Sequence, residues 1–167
     1  MAMNSMLSIV PLGCQNETPV YAIVGQQLAI IRQGRYDSVL FELKFELRQI
    51  GVASKPTEPR LGNELYATSP APPIIRNQIK AISITSSEPY DNTHGSFSEL
   101  NGLFALHQNP SIPLSNLVPP VVLDDRRAVY ILPIQPPGSG NLFRLTVMTT
   151  LEDGTILTAS THIEINP

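Results

Sequence analysis

The chain has one cysteine, no tryptophan, few charges and no long apolar run, and each scarcity removes a class of explanation. A single thiol, Cys14, excludes an intrachain disulfide and any zinc cluster built from several thiolates. Charged residues make up only 15%, the 11 Lys and Arg are scattered, and the net charge is −3. No basic footprint for nucleic acid or an anionic membrane is present. No stretch approaches the roughly 20 apolar residues that a spanning helix needs. The nucleophile-elbow pattern Gly-x-Ser-x-Gly is missing, since Gly138-Ser139-Gly140 lacks the spacing, and so are His-Glu-x-x-His and a phosphate-cradling glycine loop followed by Lys. The three histidines, His94, His107 and His162, stand far apart. The pattern predicts no catalytic residue, no metal and no cofactor. Carboxylate pairs of the glycosidase type meet only in three dimensions, so sequence leaves them open.

What is present is β-type sequence punctuated by turns: 42% hydrophobic residues with 16 Pro and 10 Gly. At 167 residues and 18.3 kDa one sizeable core is the expectation. The last stretch, Asn141 to Ile165, carries two Thr/Val/Ile/Leu-rich runs around Glu152-Asp153-Gly154, a β-hairpin signature. Side chains alternate faces along a strand, so the strands must agree on which face is buried. A two-residue loop would set Leu145 opposite His162 and Phe143 opposite Glu164. A three-residue loop sets Val147 opposite Ala159 and Phe143 opposite Ile163. The second register is predicted, with a type I turn and Gly154 in the left-handed region as a bulge. Its inner face is Phe143, Leu145, Val147, Leu157, Ala159 and Ile163, which leaves His162 and Glu164 outside.

Ser38 to Gln49 alternates strictly: Val39, Phe41, Leu43, Phe45 and Leu47 against Leu40, Glu42, Lys44, Glu46 and Arg48. This is a strand with one buried face, and its mixed charges are a solvated face rather than an acid/base constellation. Val20–Val24 and Leu28–Ile31, separated by Gly25-Gln26-Gln27, are one bulged strand or two. Gly51 to Pro73 and His107 to Pro120 are broken by proline and read as crossings, with a brief edge strand at Leu65–Thr68. Lys80–Ser86 and Ala128–Ile134 are strands, the second apolar enough for a central place.

Ser96-Phe97-Ser98-Glu99 is a capping box and predicts a short helix over 96–106 with Leu100, Leu103 and Phe104 inward. Glu88, Asp91, His94 and Glu99 form the nearest approach to a metal cluster, but they lack the alternating ligand order of a calcium loop. Turn formation and capping account for them. Asp124-Asp125-Arg126-Arg127 is the one dense charge cluster. It is either a self-neutralising turn or, through Arg126 and Arg127, a carboxylate-recognising partner contact.

The opening MAMNSMLSIVPLGC ends in Leu-Gly-Cys after a short apolar run, which resembles a bacterial lipoprotein signal with lipid attached to Cys14. It departs from that pattern in having no Lys or Arg before the run and in Pro11 three residues before the cysteine; the other reading is an ordinary free thiol. Residues 1–19 are accordingly a signal remnant or tether and 20–167 one β-sandwich domain.

Ile79–Ser86, then Tyr90-Asp91, Gly95-Ser96 and Leu100-Asn101-Gly102-Leu103-Phe104, then Phe143–Val147 and Leu151-Glu152-Asp153-Gly154-Thr155, together resemble a family of small lipoproteins exported by Gram-negative bacteria. In that family a Leu-Asn-x-Leu-Phe helix follows a strand and an aspartate-glycine hairpin closes the domain. The resemblance implies an envelope location, periplasmic or on the outer-membrane surface, and a sandwich fold; it brings no activity and no catalytic residue. The expectation is an all-β, immunoglobulin-like antiparallel β-sandwich of about seven or eight strands with one short helix. Its expected role is an accessory recognition module for a protein or glycan of the envelope, touching membrane only through Cys14. The alternatives are an assembly subunit acting through edge strands and an enzyme whose site the sequence does not reveal.

Overall fold

The computed structural model describes residues 17–54, 73–119, 121, 123, 127–138 and 141–167. In chain order the strands are β1 (Glu17–Arg32), β2 (Gly34–Arg35), β3 (Leu40–Ser54), β4 (Ile74–Ile75), β5 (Ile79–Ser86), β6 (Phe104–Leu106), β7 (Asn109–Pro113), β8 (Ala128–Pro133), β9 (Asn141–Leu151) and β10 (Ile156–Asn166). They form two sheets, β4-β1-β3-β8-β6-β7 and β2-β10-β9-β5. The architecture is the expected all-β sandwich. Two of its ten strands, β2 and β4, are two-residue strands, and theirs are the two parallel pairings in otherwise antiparallel sheets. The expected edge strand at Leu65–Thr68 lies outside the described residues.

The alternating strand behaves as its pattern requires. Val39, Phe41, Leu43 and Phe45 are buried, while Lys44, Glu46 and Arg48 face solvent. Glu42 accepts a 3.0 Å hydrogen bond from the hydroxyl of Tyr130, directly across on β8. β8 is central, between β3 and β6, in keeping with its nearly continuous apolar run. The two runs flanking Gly25 are one strand with irregular register. Val24 and Ile31 on β1 and Ile50 on β3 are the extra residues at its three shifts. All three are exposed apolar side chains, because a bulged residue drops out of the two-sided alternation.

The closing hairpin has the three-residue loop. Val147 stands opposite Ala159, Phe143 opposite Ile163, and Leu145 opposite Thr161 rather than His162. The Gly154 N–H donates to the Leu151 carbonyl at 3.0 Å, and Gly154 has φ +86°, the left-handed turn residue the register demands. Between the sheets Phe41 and Phe104 contact each other from one sheet, and Tyr90 contacts both Phe104 and Phe143 of the other. The successive centroid distances are 6.3, 5.8 and 5.4 Å.

The helix expected over 96–106 is not formed, and no α-helix occurs among the described residues. The segment turns at 96–97 and makes one 3-10 turn at Asn101–Leu103 before entering β6. Neither half of the capping box is made; Ser98 Oγ donates to the Gly95 carbonyl instead. The physical reason is competition from strand β5. The Phe97 N–H donates to the Ser86 carbonyl, the Leu100 N–H to the Ile84 carbonyl at 2.8 Å, and Glu99 bridges Thr85. Amides committed to a sheet edge are not available to a helix.

Candidate functional site

Sheet edges are where an all-β protein either closes itself or recruits another chain. The two edges of the four-stranded sheet are treated differently. At β5, Asn101 does the work of a missing strand: its Oδ1 accepts from Ile84 N–H at 2.9 Å and its Nδ2 donates to the Ile82 carbonyl at 2.9 Å. With Phe97, Leu100 and Val121, whose N–H donates to the Ile79 carbonyl at 3.1 Å, that edge is covered. Asn77 uses the same device in the other sheet, exchanging hydrogen bonds of 2.8 and 3.1 Å with Ile23 and donating to Asp153 Oδ2 at 3.2 Å.

The other edge is β10. The Leu151 N–H donates to the Thr155 carbonyl at the mouth of the hairpin. Antiparallel alternation then turns the backbone groups of Leu157, Ala159, Thr161 and Ile163 toward β9. Those of Ile156, Thr158, Ser160, His162 and Glu164 point the opposite way. Among the described residues the one strand that pairs on that side is β2, at Ile165 and Asn166. The ten-pair register with β9 has no shift. From Ile156 to Glu164 there is no Pro, Gly or Lys, and Ile156 is 64% exposed. Protected edges carry such breakers. β7 has Pro110 and Pro113, and the partly unpaired lengths of β1 and β3 carry the bulges at Val24, Ile31 and Ile50.

The inner face along this side is also incompletely covered. Leu157 and Ala159 of β10, with Leu28 and Ile30 of β1, are only half-buried. β1 reaches over the sheet here, where the Gln26 side-chain amide donates to the Val147 carbonyl at 2.8 Å. The side is therefore a seam with an unsatisfied backbone edge and apolar side chains beside it. Compared with protein-family models, curated proteins and solved structures, the chain matches none. Its site is read from its own geometry.

The residues singled out by sequence are dispersed. Cys14 and Arg126 lie outside the described residues. Arg127 is exposed with φ +60°, its carbonyl accepts from Phe45 N–H at 2.8 Å, and its guanidinium lies 5.6 Å from the centre of the Tyr21 ring. A cation–π contact of that kind holds the charge against β1. Of Glu88, Asp91, His94 and Glu99, only Asp91 and His94 meet, with His94 Nδ1 2.9 Å from both carboxylate oxygens. No group of three or more His, Cys, Asp or Glu able to hold a metal assembles among the described residues. Desolvation pushes the Asp91 carboxyl up, but the side chains and amides of Thr93 and His94 outweigh it and hold it far below the usual carboxylate range. Burial, then the Asp91 charge, pushes the Tyr90 hydroxyl well above its ordinary value, and that hydroxyl donates to the Gln135 carbonyl at 2.9 Å. These contacts close a loop: the Gly138 N–H donates to the Tyr90 carbonyl, and a Cβ at Gly138 would stand 3.1 Å from the Asp91 backbone.

Described residues also line two shallow grooves. One of about 410 Å³ beside β5 is lined by Lys80, Ile82, Glu99, Asn101, Ser115 and Leu117 among others. A smaller one of about 200 Å³ shares Leu117 and is rimmed by Ile112 and Val118. Sequence reasoning placed His162 and Glu164 correctly on the outside but missed the edge they belong to. The signal was available: ILTASTHIE has strong β character and lacks Pro, Gly and Lys.

Proposed function

We propose that the chain is a recognition module of the bacterial cell envelope, tethered by lipid on Cys14, that holds partners by adding their strand to the free edge of β10. The observation that carries this reading is the regular run of outward N–H and C=O groups from Ile156 to His162, unpaired among the described residues. In strand addition these groups supply affinity while pockets for alternate side chains supply choice of partner. Leu157, Ala159, Leu28 and Ile30 offer the apolar half of such a contact. The Leu-Gly-Cys opening and the resemblance to exported lipoproteins support the location. Arg126 and Arg127 serve as an accessory contact for carboxylates, and the module itself performs no reaction. The assembly-subunit reading draws on the same edge and differs only in the partner being another structural subunit.

The test is selection of ligands from a random peptide library on the folded chain. The reading expects selected peptides to bind the parent and the Lys80→Ala variant alike and to lose binding to Ser160→Pro, which removes a central donor on the free edge. Peptides that ignore Ser160→Pro and depend on Lys80 would move recognition to the groove beside β5 and overturn it. For the tether, a radiolabelled fatty acid should label the parent in cells and leave Cys14→Ser unlabelled. Equal labelling of the two would remove the anchor.

A further inference from the structure

We infer that the occupant of the β10 edge is a second copy of this chain, paired antiparallel about a two-fold axis through Ala159. The inference rests on the recognition reading above and names its partner. A two-fold pairing presents the same edge from both sides, so it must be self-complementary. The pairing is limited at one end by β2, because Gly34 already occupies the position beside Ile165. A second β10 must turn away into its own loop at Glu152–Gly154 before it reaches that point. The longest two-fold register that leaves Gly34 clear sets Thr158 against Ser160 and Ile156 against His162 of the other copy.

In this register the paired residues are those whose backbone groups face outward, so each pair exchanges two hydrogen bonds, about eight in all. No like charges are opposed: His162 faces Ile156, and Glu164 lies beyond the paired run. On the inner face Ala159 meets Ala159, the smallest side chain at the axis, and Leu157 meets Thr161. The half-buried Leu157 is then flanked by a neighbouring strand as inner-face residues of the central strands are. A regular strand is required for this, since one bulge would break the register on both copies at once. The two sheets become one that is six strands wide, β5-β9-β10 of one copy continuing into β10-β9-β5 of the other, with each β2 beside the end of the shared seam.

The experiment uses the full chain carrying Cys14→Ser, which leaves no other thiol. Sedimentation over a wide range of concentration should show the mass moving from that of the 18.3 kDa chain toward twice that value. Ser160→Pro should weaken the association at least about tenfold, one hydrogen-bonded pair with its geometry being enough for such a loss. Ala159→Cys should oxidise to a covalent dimer, because opposed residues at a non-hydrogen-bonded position bring their Cα atoms within disulfide range, whereas Thr146→Cys on β9 should not. A dimer indifferent to Ser160→Pro, or one in which Ala159→Cys fails to cross-link, overturns the inference by placing the contact elsewhere. A monomer at every concentration also overturns it. A synthetic peptide spanning Ile156–Glu164 then separates the two readings. If the monomer binds it and Ser160→Pro does not, the edge still recruits strands and only the self-pairing is wrong. If the monomer does not bind it and no library peptide depends on Ser160, the recognition reading falls as well.

Discussion

β5 and β10 bound the same sheet, yet one is finished and the other is not. β5 is covered by three different devices: a side-chain amide at Asn101, backbone donors at Phe97 and Leu100, and a bridge at Val121. On its side away from β9, β10 pairs among the described residues with only the two residues of β2, along eleven of its own. The cost of covering β5 is visible in Phe97, held at φ +63° and 75% exposed, a backbone conformation that a large side chain rarely adopts. One edge is closed at the cost of a strained residue, and the opposite one keeps a regular strand with no strain.

The largest expected effect tests whether Asn101 is the closure. Asn101→Leu strips partners from Ile84 N–H and the Ile82 carbonyl and should cost about 2–4 kcal/mol in urea unfolding. A loss within a few tenths of that of a neutral surface change would mean that β5 is held by its backbone contacts alone. Gly154→Ala comes next. The residue sits at φ +86° with open space around its Cα, so the cost is conformational, about 1 kcal/mol. Its value lies in the register, since a slip of the hairpin would exchange the two sets of β10 backbone groups and abolish association.

Ser160→Pro should be milder still for folding, about 1 kcal/mol or less by thermal melting, because the lost N–H faces outward and proline is tolerated on edges. A collapse of stability there would show that the edge is already engaged within the chain. The smallest effect concerns the loop that leads from β5 to its covering segment. The Asp91 carboxyl is held low in the folded state, so its stabilising contribution is present above its unfolded value, about 3.9, and fades as pH falls through the folded one. The stability difference between the parent and Asp91→Asn should therefore be steady near neutrality and shrink on acidification below about pH 4. A gap that widens in acid would contradict the assigned hydrogen bonds. His94, whose Nδ1 lies 2.9 Å from the Asp91 carboxylate, should shift the same loop when replaced by Ala, read as a change in the Tyr90 ring signals.

Local patterning was legible wherever the physics is local. The alternation from Val39 to Leu47 sets a face, and Glu152-Asp153-Gly154 sets a loop and hence the pairing of Val147 with Ala159. The proline-broken run His107–Pro120, which patterning reads as a crossing, instead holds the edge strand β7 and a 3-10 turn, because proline still fits an edge whose N–H groups need no partner. The capping box at Ser96 forms neither its hydrogen bonds nor its helix, because β5 claims the amides of that segment first. Nothing in the spacing of Asn101 or Asn77 announces that each completes a strand 17 or 54 residues away. The candidate edge was half legible: its composition is plain in ILTASTHIE, but whether a strand lies beside it depends on the other nine.

Which residues turn inward and where the final hairpin bends follow from local patterning alone, since period-two alternation and a left-handed glycine act over a few residues. Only the tertiary structure decided which strands lie at the edges and which edge is covered. That outcome depends on long-range competition for backbone hydrogen bonds, in which Asn101 and the 97–100 segment go to β5, and the outward donors and acceptors of β10 from Ile156 to His162 are left unpaired among the described residues.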